Sequence, residues 1–580
     1  MISRITIFLA IIFFGILPGY TQSFRLPRVL IITSGDGEGR GTVSDGVVLA
    51  LENFHLMGLT THLHDRSILY EPDKLKNFDI LVLSSLKSYH DADRPNGLSF
   101  MSNTEIKNIR YFVEQGGIII TDLNTGRNTP EGQDRLAGNN NLYPLIPGIR
   151  VEEMNLQSAS FKLPGNSPEK KIFGENEKAW LPVVRKGGET LLSWKWQDRK
   201  PPALSVMNYG LGKAFLLTDF RLLHPVGDGG WANPENLQKL YALILEKTGK
   251  TLPYGLRFSP WKNGHLTAYC QTFDDGGNLN QYQRIFKVIR RFKLPTVFFV
   301  TPAISPQIRE KLKAQKLIDI QGHSFSHPDF RKLNYWQTAE QFYRNARFWH
   351  KKFTGFRFPF VSNSFYGMYW LNRLGFLYDS SIAVNHDDFI RGSTVPYNIP
   401  VFKNGFFLTL DLIEISQMYH SDWYFYRKSL DDKPYTPAMQ HLDAERFANY
   451  LQHYFYDIIK PHHGVMVYLG HPMYSGYSDI TIEAWEKFLK KLRKENVWIT
   501  SLNNLAERWK IWQNLQIGVD RTPRQIRFRF EGGNLDGFSL FMKLKPKQIE
   551  YQGKYKLKKY ENGYVLIFDM QAGKKLTLKF

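Results

Sequence analysis

The feature that most constrains this chain is a repeated alternation of short apolar segments with stretches of helical spacing between residues 255 and 515. Strands are expected at 265–272, 296–301, 318–321, 355–358, 377–379, 464–469 and 497–500, with helices such as 279–292 and 481–494 between them. Short continuous apolar runs separated by helices read as parallel strands buried on both faces, because parallel neighbours need a crossover. About seven such units predict a closed or nearly closed (β/α) barrel, with its chemistry at the C-terminal ends of the strands.

The chain has 580 residues, enough for several domains. Residues 27–250 show a second α/β alternation. Its expected strands begin with Arg28–Thr33, 79–84 and 117–122 and close at 212–219, with a helix over 106–114 and a tight turn at Ser34-Gly35-Asp36-Gly37. Such alternation predicts a doubly wound parallel sheet. In pattern this region resembles the class I glutamine amidotransferase-like or flavodoxin-like fold. Amidotransferase chemistry needs a cysteine thiolate. The one cysteine of the chain is Cys270, outside the region, so a non-catalytic domain is expected. Residues 521–580 change character, with alternating aromatic and charged residues at Arg527-Phe528-Arg529-Phe530 and turns at Gly532-Gly533 and Asn562-Gly563. They read as a small all-β module.

Arg4 followed by the apolar stretch Ile5–Leu17 reads as a secretory leader over 1–23, cut after Gln22 or Ser23. The expectation is an exported protein, periplasmic, cell-surface or secreted. The formal charge is +21. With export this excludes nucleic acid as the natural partner and favours an anionic glycan or envelope surface. The 521–580 module holds 14 Lys or Arg against 5 Asp or Glu and is the candidate contact.

Two motifs at expected strand ends carry chemistry. Thr272-Phe273-Asp274-Asp275-Gly276-Gly277 puts adjacent carboxylates where they repel unless a positive group is near. His323-Ser324-Phe325-Ser326-His327 spaces two histidines by four, which on a helical turn places both on one face. One carboxylate plus two imidazoles makes a three-ligand metal site with an open position, the mark of a catalytic metal. Either motif alone is commonly a solvated turn or packing. Together, at successive strand ends, they define a site.

Residues 265–475 thereby resemble the polysaccharide deacetylases of carbohydrate esterase family four. Thr-Phe-Asp-Asp-Gly is similar to the first motif of that family, His323-Ser-Phe-Ser-His327 to the second, Arg357-Phe358-Pro359-Phe360 to the third and Val467-Tyr468-Leu469-Gly470-His471 to the fifth. The resemblance implies a deacetylase barrel and a divalent metal ion, zinc foremost, on Asp275, His323 and His327. It implies Asp274 as general base, Arg357 as the group holding that carboxylate, and His471 as general acid. For the aspartate that steers the catalytic histidine, Asp379 is the candidate and Asp422-Trp423 its rival. Val361 stands where the third motif usually ends in glycine. The implied substrate is an N-acetylated polysaccharide. The alternatives are an acetyl-ester hydrolase on xylan or another glycan, and a non-catalytic glycan-binding protein on the same fold.

Overall fold

In this computed structural model the described residues are 22–33, 43–83, 98–138, 141–155, 160–161, 170–171, 180–218, 234–384, 390–403, 406–431 and 435–580. The apolar stretch of the expected leader and the Ser34–Gly37 turn lie outside them. No helix of the described residues is long and apolar enough to cross a membrane.

The protein is mixed α/β. Its N-terminal sheet runs Thr60–Asp65, Arg28–Thr33, Ile80–Leu83, Ile118–Asp122 and Gly212–Leu217, all parallel. The antiparallel strands Pro202–Tyr209 and Glu189–Ser193 extend it. Alternation of side chains along a strand serves both faces. Val29 and Ile31 join the core under helix Asp45–Leu56, while Leu30 and Ile32 join another under helix Asn103–Glu114.

The central sheet is parallel from Val465–Gly470 through Thr267–Asp274, Thr296–Val300, Ile318–Gly322, Gly355–Phe356 and Tyr378–Asp379 to Phe406–Glu414. Val497–Thr500 pairs with the first half of Thr267–Asp274. Antiparallel Tyr397–Lys403 ends the sheet. Among the described residues no ladder joins its two edges, so of the closed or nearly closed barrel expected, the sheet is an open, incomplete form. Phe406–Glu414, absent from the expected strands, supplies an inner position. Helix Leu279–Arg291 shows how the crossovers form. Asn278 and Gln281 make a reciprocal capping box at its start. Tyr282, Ile285, Phe286 and Ile289 then recur at helical spacing and are buried.

The C-terminal strands form two antiparallel sheets, each completed by a distant segment. Gln22–Arg25 pairs with Gln516–Thr522, and Arg257–Ser259 pairs with Leu535–Met542. The ladder thus starts before residue 521, and cleavage after Gln22 or Ser23 would cut into its edge strand. One core runs through all three regions, including Phe54, Trp261, Trp509, Phe528 and Phe538. Polar ties reinforce it: the buried Glu52 carboxylate accepts from the Thr394 amide at 2.8 Å and its hydroxyl at 2.7 Å. A cavity of about 1200 Å³ opens where the regions meet, lined by Leu266 and Thr267 at the start of a barrel strand. The residues of interest lie at the other end of that strand.

Candidate active site

Thr267–Asp274 is wholly buried, and the chain must turn sharply where it ends. Gly276 and Gly277 follow at φ +115° and +106°. A Cβ at Gly277 would stand 2.6 Å from the Gln281 side-chain oxygen and 3.0 Å from the Met473 amide. Glycine is what lets this loop close against the segment after His471.

The positive group required by the adjacent carboxylates is Arg357, which is fully buried. One of its terminal nitrogens donates to Asp274 Oδ1 at 3.0 Å and to Thr272 Oγ1 at 2.8 Å. Its Nε donates to the Ser380 carbonyl at 2.7 Å, and its other terminal nitrogen to Ser380 Oγ at 3.0 Å. Burial alone would push the Asp274 carboxyl up. The Arg357 guanidinium, aided by His323 and His471, holds it below the usual carboxylate range. Asp275 turns elsewhere: its Oδ2 accepts from the Thr301 amide at 2.5 Å and hydroxyl at 2.6 Å.

His323 is buried, with Nδ1 on the Arg357 carbonyl at 2.8 Å and Nε2 4.0 Å from Asp274 Oδ2. The His327 ring lies 5.1 Å from that of His323 and 4.5 Å from that of Phe360, between centroids. Burial and the neighbouring His323 push His327 down. The expected helical turn is corrected. Residues 323–327 form a loop with Ser324 at φ +79° and His327 at φ +55°, fastened by the His327 amide on Ser324 Oγ at 3.0 Å. Phe360 and Val361 are both left-handed as well, at φ +56° and +55°. A β-branched residue seldom adopts that region, where a glycine would sit without strain.

The aspartate on His471 is Asp422, and the assignment to Asp379 is corrected. Asp422 is buried, accepts from His471 Nδ1 at 2.7 Å through Oδ1, and takes the His471 amide at 2.7 Å on Oδ2. Ser475 adds its hydroxyl at 2.7 Å. Burial would lower His471, but Asp422 and then Asp274 outweigh it and raise it above the usual histidine value. Asp379 instead accepts from the Ser381 hydroxyl at 2.9 Å and is pushed up by burial beside the buried Glu414. Sequence reasoning also passed over Thr272, Thr301, Ser380 and Ser475. Thr272 stands in the first motif without a role of its own, Thr301 and Ser380 follow strand ends, and Ser475 closes a short helix after His471.

Among the described residues, no group of three or more His, Cys, Asp or Glu is arranged to hold a metal ion. The donor chemistry nonetheless suits one. With Nδ1 on a carbonyl, His323 keeps Nε2 free, the usual pattern of a metal-ligating histidine. His327, pushed down by burial, stays neutral over a wider pH range, as a ligand must.

An open parallel α/β barrel with an ionised aspartate and an aspartate-bound histidine at its strand ends defines a hydrolase-type site. Residues 265–378 match the family model described as polysaccharide deacetylase, so this segment is a domain of that family. The match supports carbohydrate deacetylation, that is, hydrolysis of a carbohydrate amide or ester. No curated protein matches the chain. Among solved structures, it is similar to "Agd3 a novel carbohydrate deacetylase" at 10% identity and a TM-score of 0.40, covering 96% of this chain and 98% of the other. It is similar to the Puue allantoinase at 15% identity and 0.33, over 45% and 94%. It is also similar to the Xyl-CE4 domain of a multidomain xylanase from the hindgut metagenome of Trinervitermes trinervoides, at 10% and 0.26, over 42% and 90%.

Proposed function

We propose that the chain is an exported, metal-dependent hydrolase that removes acetyl groups, N-acetyl groups foremost, from a polysaccharide. The observation that carries this is the electrostatic pairing of Asp274, salt-bridged to buried Arg357, with His471, raised by Asp422. One group is kept ionised to accept a proton and the other protonated to give one. These are the base and acid of acyl transfer to water with an amine leaving group.

A divalent ion, zinc foremost, would be held by Asp275, His323 and His327, and would polarise the acetyl oxygen and activate the attacking water. Asp274 takes the proton of that water. The Val361 amide already donates to the Phe358 carbonyl at 3.1 Å, so the Phe360 amide is the candidate donor to the developing oxyanion. His471 delivers its proton to the departing sugar nitrogen. The basic C-terminal module is assigned to contact with an anionic glycan or envelope surface.

The test is acetate release by the metal-loaded protein from chitin oligomers, poly-N-acetylglucosamine, peptidoglycan and acetylated xylan side by side. Release from the N-acetylated substrates, with free amines in equal amount, is expected. Release from xylan alone would make the protein an ester hydrolase, and release from none would sink the reading. Elemental analysis of His323→Ala and His327→Ala should show a sharp loss of bound metal in each. Unchanged stoichiometry in both would remove these histidines from the ligand set.

The raised His471 gives a pH signature. A group whose pKa is raised stays protonated to higher pH, so it extends the alkaline limb of kcat/KM. Asp422→Asn removes the main cause and should shift that limb towards lower pH. Asp379→Asn should leave it where it is. An unmoved limb in Asp422→Asn would detach the limb from this pair.

A further inference from the structure

Two barrel helices, Tyr335–Trp349 and Phe365–Arg373, carry aromatic rings that the mechanism does not use. Trp336 is 73% exposed and Tyr343 56% exposed, seven residues apart on one helix face. The core does not need them, since that helix buries Thr338, Ala339, Phe342, Asn345 and Trp349. The exposed rings nevertheless cluster about one buried ring, Trp370, which lies 6.4 Å from Trp336. Tyr335 lies 5.0 Å from Trp336, 4.7 Å from Trp370 and 5.8 Å from Tyr366, between centroids. Tyr343 lies 6.3 Å from Trp370. The Lys403 ammonium sits 3.6 Å over the Tyr366 ring.

The helices that carry these rings begin where the loops of the site end. One helix follows the His323–His327 loop, and the other follows Phe360. The turn after the first loop is tied to the second by the Phe330 amide on Ser362 Oγ at 3.0 Å. Phe360 is 67% exposed, and its ring is the one against His327.

We propose that this surface is a stacking platform for a distal stretch of the same polysaccharide whose acetyl groups reach the site, an inference that rests on the function proposed above. Sugar rings present apolar C–H faces edged by hydroxyls. Exposed Trp and Tyr faces match the former, and tyrosine hydroxyls and the Lys403 ammonium match the latter. Continuity with the site favours a glycan over a protein partner, because a polymer in the site must continue across the neighbouring surface.

The test uses the full chain with Trp336→Ala and Tyr343→Ala, singly and together, and Trp336→Phe as the conservative variant. Co-sedimentation is measured with insoluble poly-N-acetylglucosamine, colloidal chitin and acetylated xylan, and thermal unfolding checks that each variant is folded. The double variant should bind the wild type's preferred polymer about tenfold more weakly, with most binding kept by Trp336→Phe. Unchanged binding by the folded double variant would overturn the platform, as would no binding of any polymer by the wild type. A change in oligomeric state by light scattering, with glycan binding intact, would reassign the face to self-association. The failures are separable. Lost polymer binding in the variant with no acetate release by the wild type keeps the platform and removes the deacetylase reading. Acetate release with unaltered polymer binding removes the platform alone.

Discussion

Asp274→Asn is expected to lower turnover about 100-fold or more while leaving most of the bound metal in place. The carboxylate is the proton acceptor of the proposed reaction, and the amide that replaces it has no basic oxygen of comparable strength. The geometry limits collateral damage. Asp274 Oδ1 meets Arg357 at 3.0 Å, and an asparagine side-chain oxygen can accept from the same guanidinium. Asp275 is separately fastened by Thr301 and need not move. Turnover on an N-acetylated oligomer and metal content, read on the same preparation, give the answer. A variant that keeps activity would mean the roles of the two aspartates are wrongly divided. One that loses metal and activity together would make Asp274 a ligand.

Arg357→Ala is expected to destabilise the fold by about 3–5 kcal/mol, besides abolishing activity. Arg357 is fully buried and serves Asp274, Thr272 and Ser380 at once. Its removal leaves a carboxylate in a dry site with its main counter-charge gone, and three further acceptors unserved. The pH dependence has a definite sign. In the wild type the Asp274 pKa is lowered, so the pair stabilises the fold above the ordinary carboxylate value, about 4. That contribution is lost as pH falls through the lowered value. In the variant, desolvation without the guanidinium raises the carboxyl, so this contribution reverses and should favour the fold as pH falls. Urea unfolding at several pH values measures both effects. Adding Asp274→Asn to Arg357→Ala should restore part of the loss, because the stranded charge is gone. Equal stability of wild type and Arg357→Ala at neutral pH would show that the ion pair contributes little.

Much of this was legible in the chain because it is local. Strand and helix periods from 265 to 500 follow from apolar spacing, and the end of the Thr267–Asp274 strand follows from Asp-Asp-Gly-Gly. Asp274 and Arg357 were matched through motifs, and the structure joins them. Motif likeness points to Asp379 as the partner of His471, with Asp422 as its rival, and the structure reverses that order. Both are buried acids in polar, aromatic surroundings, and nothing near either one says which reaches residue 471. The answer depends on how helix Asp422–Asp431 packs against the end of Val465–Gly470.

The same division runs through the architecture. Alternating apolar periods were enough to place most buried strands, because period and burial are properties of a short segment. Strand neighbours, sheet closure and borrowed edges are different, since a ladder is satisfied by any segment of matching register that packing brings near. Phe406–Glu414 entered the central sheet, Gln22–Arg25 joined a strand almost 500 residues away, and Arg257–Ser259 completed the other C-terminal sheet for that reason. The bend of the His323–His327 loop belongs with them. Four-residue spacing permits a helical turn, but the left-handed Ser324 and His327 arise where the loop is held by Arg357, Ser362 and Gln341.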